Sequence, residues 1–333
     1  AYGVRMGYGG ATNTLEITGG TLNVGGVPVG QSDPAGWHLD VGRGYPGFDS
    51  RPVLPNPQAT LLMSGGTVTT QGFLIPEQFV DESLADPYDT PSLNGVVLMS
   101  GGTINARWMN LGQLTGNGRA ELSGDAVINL APNVPSQPGN GGHLSFNRDW
   151  FVSGQPVTSI GEVSLDLRDN AIINIFGHVD EFITAPDQGE VDRYQGYIDA
   201  GELTADAGTD VPTIYLDGDN DQIKICALDA DFDSDCDTDA DDLATWQANY
   251  GMTGIAGDLK AIGDADNDGD VDGADLLELQ IEFGVGVGPV GAATNVPEPA
   301  AASLLLAGGL VASFRRRRGI LKDYPYSNPG TER

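Results

Sequence analysis

Two acidic segments of the chain have the residue types and the spacing that a bound calcium ion requires. Calcium takes about six to eight hard oxygen ligands, so a short loop that binds it must turn a carboxylate inward at alternate residues. Segments 231–242 and 264–275 place aspartates in this way, and each ends on an aspartate at position 12. We therefore predict two Ca2+ sites built from twelve acids: Asp231, Asp233, Asp235, Asp237, Asp239, Asp242, Asp264, Asp266, Asp268, Asp270, Asp272 and Asp275.

Position 6 of such a loop must bend sharply, and the two segments fill it differently. The second has Gly269, whereas the first has Cys236. A non-glycine residue in a left-handed conformation costs roughly 1 kcal/mol, so we expect the first loop to bind calcium more weakly. Cys236 lies ten residues after Cys226; we expect a disulfide in an oxidising compartment and two free thiols in a cytosol. At position 8, Val271 is expected to face the core and pair with Thr238 of the other loop.

Helices are predicted to follow both loops and to hold their last ligands in place. The stretches 239–250 and 273–283 have helical length and apolar residues on one face. Each is followed by a glycine, Gly251 or Gly284, suited to a helix C-cap. Loop and helix together form a unit that occurs twice.

The charge of the chain is strongly negative and is concentrated around the loops. Lys and Arg total 16 against 47 Asp and Glu, giving a formal net charge of −31. Between residues 229 and 282 there are 17 acids and one basic residue, Lys260. Such a surface repels nucleic-acid phosphates and anionic lipid headgroups, so we predict no nucleic-acid partner.

With loops that end in Asp rather than Glu, and one clear helix after each loop, the segment resembles an EF-hand-like type I dockerin module. Dockerins bind cohesins, often through a Ser-Thr pair at loop positions 10 and 11. This chain has Ala240-Asp241 and Gly273-Ala274 there, which puts a cohesin partner in doubt. The resemblance implies Ca2+ ligation by Asp231, Asp233, Asp235, Asp242, Asp264, Asp266, Asp268 and Asp275, with Asp239 and Asp272 as direct or water-mediated ligands.

A repeat precedes the acidic region and predicts its fold. The segment 15–22 matches 61–68 and 97–104, with weaker copies at 121–128, 165–172 and 214–216. Each copy reads as a strand, a tight glycine turn and a second strand. We predict a right-handed parallel β-helix, or solenoid, over residues 1–225, with a jelly roll as the alternative. Its inward ladder is expected to contain Ile17, Met63, Met99, Leu122 and Leu167.

The C-terminal segment has the features of an addressing signal. Pro297-Glu298-Pro299 precedes an apolar run over 300–314 and the basic residues Arg315, Arg316, Arg317 and Arg318. This order resembles a PEP-CTERM sorting signal, which implies an apolar helix, recognition by an exosortase-type machinery and cleavage of the tail. The alternative is a short membrane anchor, although 15 apolar residues fall short of the roughly 20 that span a bilayer.

Residues that could carry catalysis are scattered through the repeat region. His38, His143 and His178 belong to no recognisable motif, and Asp166 with Arg168 is expected to form a surface ion pair. The tryptophans could stack on sugar rings or pack at strand ends: Trp37, Trp108 and Trp150. We therefore predict no catalytic residues.

Taken together, these features predict three parts: a β-solenoid at 1–225, a dockerin-like paired calcium module at 226–288, and a linker with an apolar helix and basic tail at 289–333. The predicted function is that of an exported structural or interaction protein of the cell envelope or surface, attached through a single short membrane segment that is subject to cleavage. The alternative is a carbohydrate-active β-helix, either a polysaccharide lyase or an adhesin that binds extracellular polysaccharide.

Overall fold

The structure is a computed structural model that describes residues 3–6, 12–24, 38–44, 58–78, 94–112, 116–131, 142–146, 151–152, 155–156, 161–177, 188–217, 222–254 and 259–286. These ranges are mainly β. Their strands, in chain order, are β1 (Val4–Met6), β2 (Asn13–Ile17), β3 (Thr21–Asn23), β4 (His38–Val41), β5 (Arg43–Gly44), β6 (Gln58–Thr69), β7 (Gly72–Ile75), β8 (Glu77–Gln78), β9 (Asn94–Ala106), β10 (Trp108–Leu111), β11 (Asn117–Leu130), β12 (His143–Phe146), β13 (Phe151–Val152), β14 (Gln155–Pro156), β15 (Val163–Leu167), β16 (Ile172–Phe176), β17 (Leu203–Ala205), β18 (Thr213–Asp217) and β19 (Gln222–Cys226). Their α-helices are α1 (Gln188–Asp199), α2 (Ala240–Asn249) and α3 (Gly273–Glu282).

Two sheets contain most of the described strands. A five-stranded sheet has the order β1-β4-β7-β10-β12 and is parallel throughout. A ten-stranded sheet has the order β18-β19-β16-β11-β9-β6-β2, with β3, β15 and β17 attached beside it. Its strands pair in parallel except at β16–β19 and β18–β19, which are antiparallel. Two small pairs, β13–β14 and β5–β8, lie outside both sheets.

The predicted ladder is confirmed by the register of the ten-stranded sheet. Ile17 pairs with Met63, Met63 with Met99, Met99 with Leu122, and Leu122 with Leu167. All five side chains are buried in one core that also contains the inward residues of the five-stranded sheet. The alternation of apolar and polar residues therefore identified the inward face of each repeat.

The glycine pairs of the repeat do not form the predicted turns in the longer copies. In β6, β9 and β11 the strand continues through the glycines, and the register shifts there as in a β-bulge. Gly66 and Gly102 have φ values of 85° and 89°, which a bulge accommodates without ending the strand. Each of these three copies is thus one long strand with an irregular centre, whereas the first copy divides into β2 and β3 and the copy at 165–172 into β15 and β16.

The predicted right-handed parallel β-helix is wrong. The ten-stranded sheet is mixed, because β18 and β19 join it antiparallel, and the copy predicted at 214–216 lies in β18. A helix, α1, lies within the region predicted to contain strands alone, where Tyr194 and Tyr197 are fully buried. The parallel pairing of the repeat strands also excludes a jelly roll, whose sheets are antiparallel. The predicted C-terminal apolar helix falls outside the described residues.

The chain divides into one unit that ends at Val287 and a second that begins at Gly288. The predicted boundary at 225/226, which concerns independent folding, stays a prediction. None of the helices in the described ranges has the length and apolar character needed to cross a membrane.

Candidate metal centre

The two acidic loops fold as close copies of one another, each leading directly into a helix. Asp239 is the N-cap of α2 and Asp272 is the N-cap of α3. One carboxylate oxygen of each accepts a hydrogen bond from the second backbone N–H that follows, at 2.7 Å in both loops. Because these oxygens are used in capping, the position-9 acids fit the predicted water-mediated role better than direct ligation.

The aspartate at position 12 joins the beginning of each loop to its end. Asp242 accepts hydrogen bonds from the backbone N–H of Phe232 at 2.6 Å and of Asp239 at 2.7 Å. Asp275 does the same with Ala265 at 2.7 Å and Asp272 at 2.6 Å. Both carboxylates are about 1% exposed. Each loop is therefore closed by its own last aspartate.

The aspartate at position 1 is oriented by the bend of its loop. Asp231 accepts hydrogen bonds from the N–H groups of Asp235 at 3.0 Å and Cys236 at 3.1 Å. Asp264 accepts the equivalent bonds from Asp268 at 3.2 Å and Gly269 at 2.9 Å. The backbone N–H of the residue at position 6 thus orients the aspartate at position 1, and it does so with either cysteine or glycine at position 6.

The carboxylates that these contacts gather fit a calcium ion. Ligand atoms of the acids at positions 1, 3 and 12 lie within 4.8 Å of one another in both loops. Oxygen donors alone suit a hard divalent cation. The two groups of three acids are Asp231, Asp233 and Asp242 in the first loop, and Asp264, Asp266 and Asp275 in the second. At position 7 of the first loop, the carboxylate of Asp237 contacts Lys224 Nζ at 3.3 Å, which leaves the backbone carbonyl of Asp237 for the metal.

The predicted disulfide between Cys226 and Cys236 is confirmed. Cys236 has φ 57°, in the left-handed region, and the equivalent Gly269 has φ 94°. A side chain in this region costs roughly 1–2 kcal/mol that glycine does not incur. The bond attaches this bend to the last residue of β19.

The two halves of the module are linked reciprocally. Val271 exchanges backbone hydrogen bonds with Gly251 and Met252, which follow α2, at 2.8 and 2.9 Å. Thr238 makes the equivalent bonds with Gly284 and Val285, which follow α3, at 2.8 and 3.0 Å. The prediction that Val271 pairs with Thr238 is therefore wrong, because each loop pairs with the segment after the other helix. Val271 is fully buried, as predicted.

Two residues outside the loops hold the module in place and were missed by sequence reasoning. Lys224 of β19 donates to the carbonyl oxygen of Asp235 at 3.3 Å. Glu282, in the last turn of α3, accepts from the N–H groups of Asp229 at 3.0 Å and Ala230 at 2.8 Å. An acid is unfavourable at a helix C-terminus, so Glu282 was a detectable sign of a tertiary contact. Lys224 carried no comparable signal.

Several acids of the module resist ionisation in the absence of a cation. Burial, opposed by the Lys260 ammonium, raises the pKa of Asp231 to about 6. Burial also raises the pKa of Asp242, against the backbone N–H groups that favour its charged form. The pKa of Glu282 is raised to about 7 by burial, and that of Asp229 to about 6 by burial and nearby acids. A bound dication would reverse this preference at the loop acids.

In the calcium-free chain we expect the free energy of unfolding to fall as the pH rises from about 4 to about 7. The folded-state pKa values of Asp229, Asp231 and Glu282 lie above the unfolded ones. The stability that these protonated groups contribute is therefore fully present below the unfolded-state pKa and is lost as the pH rises through the folded-state pKa. Between the two pKa values, each group lowers the free energy of unfolding by up to about 1.4 kcal/mol per pH unit. Urea unfolding of metal-stripped protein at several pH values measures this slope. Glu282→Gln should reduce this slope, whereas Gln280→Ala, which removes an exposed uncharged side chain from the same helix, should not. A stability that rises with pH would contradict the expectation.

Other candidate residues take part in different arrangements. Asp166 and Arg168 form the predicted ion pair at 2.6 Å, although Asp166 is buried and also accepts from Thr204 at 2.8 Å. His38 and Trp108 meet edge to face at 4.9 Å, and Trp108 pairs in register with His143 of β12. Sequence reasoning missed this row because its members come from three separated strands. His178, Trp37 and Trp150 lie outside the described residues, as do the sorting residues 297–299 and 315–318.

Comparison of the chain with protein-family models, curated proteins and solved structures gives no match.

Proposed function

We propose that this chain is a non-catalytic, exported structural or interaction protein of the cell envelope, with a dockerin-like module that two Ca2+ ions stabilise. The observation that carries the proposal is the duplicated geometry of the two loops. Each gathers the carboxylates of positions 1, 3 and 12 within 4.8 Å and orients them through equivalent backbone hydrogen bonds. An acidic run that served solubility alone would not need the same contacts twice.

The donor set favours calcium over other metals. Zinc sites are usually built from thiolates and imidazoles, and the two cysteines of this chain are joined in a disulfide. Magnesium requires near-ideal octahedral geometry and retains several waters, whereas calcium accepts many oxygens in a flexible arrangement. A loop that offers several carboxylates and backbone carbonyls fits the larger ion.

The charged outer face of the ten-stranded sheet supports a structural role for the strands. Arg119 pairs with Glu121 at 2.7 Å, and Arg168 pairs with both Glu121 at 3.1 Å and Asp166 at 2.6 Å. These groups neutralise one another across β11 and β15. Acid and base groups for catalysis would instead face a substrate.

Export is supported by the disulfide and by the sequence of the tail. Disulfides persist in oxidising compartments and are rare in the cytosol, and the pair here is fully buried in the structure. The tail lies outside the described residues, so its recognition by an exosortase-type machinery rests on its resemblance to a PEP-CTERM signal.

Calorimetric titration of the metal-stripped full chain should show two bound Ca2+ ions and much weaker binding of Mg2+. Asp264→Ala should abolish the second site, because that carboxylate supplies a position-1 ligand and accepts two loop N–H groups. Asp241→Ala is the matched control, since it removes an exposed acid from α2 and should leave both sites intact. Absence of calcium binding by the unmodified chain would refute the proposed function.

A further inference from the structure

We infer that the Cys226–Cys236 disulfide is a redox control of the first calcium loop, so that reduction weakens this site and leaves the second unchanged. The inference rests on the proposed function and adds the regulation of one of its two sites. It depends on a difference between loops that are otherwise equivalent: position 6 is a tethered cysteine in one and a glycine in the other.

The tether acts on a calcium ligand through one intervening hydrogen bond. The N–H of Cys236 donates to Asp231 Oδ2 at 3.1 Å, and Asp231 is the position-1 ligand. This geometry requires Cys236 to keep its left-handed conformation, with φ 57°. Since a residue with a Cβ disfavours that conformation, an untethered Cys236 would tend to leave it and to turn its N–H away from Asp231.

The other end of the bond is attached to a rigid part of the protein. Cys226 is the last residue of β19, which pairs with β16 on one side and β18 on the other. The pairing with β16 is reinforced by an amide contact from Gln222 to Asn174 at 2.6 Å. Both cysteines are fully buried beside Ile172 and Leu228. The disulfide therefore fixes the bend of the loop to the end of an interior strand of the ten-stranded sheet.

Two contacts of the first loop would survive reduction, which limits the expected effect to calcium affinity. Lys224 still holds the carbonyl of Asp235 at 3.3 Å, and Thr238 remains paired with Val285 at 3.0 Å. The second loop bends at Gly269, which adopts φ 94° without a tether. Reduction should thus change one site in a folded module.

The redox step requires a dithiol reductant. One of its thiolates attacks the disulfide, and its second thiol then releases the protein. The S–S bond of the protein breaks, Cys226 and Cys236 each gain a proton and one electron, and the reductant becomes a cyclic disulfide. Because the sulfurs are buried, we expect this exchange to be slow while calcium is bound and faster once the chain is stripped of metal.

The test is calcium titration of the full chain with the second site removed by Asp264→Ala, so that the first loop is observed alone. In this background, treatment with dithiothreitol or the substitution Cys226→Ala should weaken binding roughly tenfold. The double substitution Cys226→Ala with Cys236→Gly should restore the affinity and make it insensitive to dithiothreitol. The second loop, observed in an Asp231→Ala background, should bind equally in all of these states.

The outcomes separate this inference from the proposed function. If the unmodified chain binds no calcium, both fail. If both loops bind calcium and the first has the same affinity with and without the disulfide, the redox control alone is overturned. Loss of both sites in Cys226→Ala would also overturn it, because the bond would then be a general support of the module. Failure of Cys236→Gly to restore binding would show that the bend is not the cause.

Discussion

Above about pH 7, removal of calcium from the full chain should abolish the circular dichroism signal of α2 and α3 while the sheets stay folded, because buried acids such as Glu282 are then ionised. Without the ions, 17 acids between residues 229 and 282 are opposed by one basic residue of that segment, Lys260. Calcium binding favours the closed form of the two loops, and both helices begin in these loops. The free energy of binding therefore contributes directly to the folding of the module. At a free calcium concentration one hundred times Kd, each site should stabilise the module by about 2.7 kcal/mol.

Thermal melts followed at helical wavelengths, with calcium and with excess chelator, measure this difference. Sodium chloride at matched ionic strength serves as the control, because it would reproduce the effect of calcium if the ions acted only by screening the acidic charges. Recovery of the helices by salt alone, or a fully helical spectrum in chelator, would show that the module folds without specific ions.

Leu122→Ala should destabilise the sheets by about 2–5 kcal/mol, the range for large-to-small substitutions in a core that collapses only partly. Leu122 is fully buried and pairs in register with Met99 on one side and Leu167 on the other. The gap left by its side chain would therefore interrupt the ladder between Met99 and Leu167. Urea unfolding of the full chain in saturating calcium measures the change.

The matched control is Leu98→Ala, on the neighbouring strand. Leu98 is 36% exposed and pairs with Glu121 on the opposite face of the sheet. We expect its truncation to cost less than about 1 kcal/mol. Equal effects of the two substitutions would mean that the ladder is not the core of the ten-stranded sheet.

The geometry of the two acidic loops was predictable because the spacing of their aspartates is local. A loop of twelve residues determines by itself which carboxylates face inward, and the structure gathers Asp231, Asp233 and Asp242 as expected. The surrounding contacts were not predictable, because they join positions distant in the chain. Lys224 reaches the loop from a strand, and Glu282 reaches Asp229 from the far end of α3.

The fold shows the same division between local and distant information. The alternation around Ile17, Met63 and Met99 correctly identified neighbouring strands and their buried face. A sequence repeat gives no information about the strands that follow it once the repeat weakens. After β16 the sheet continues with β19 and β18, which pair antiparallel. Helix α1 carried its own signal in Val191, Tyr194 and Ile198, whose helical spacing places them on one side.

The reciprocal linkage of the two loops means that neither loop–helix unit is complete alone. The first loop obtains its backbone partners from the residues after α3, and the second obtains its partners from those after α2. A single loop–helix unit would therefore lack these partners unless a second copy of the unit supplied them. In this respect the module resembles two subunits with exchanged segments that are joined in one polypeptide, and separating the halves would disrupt both loops.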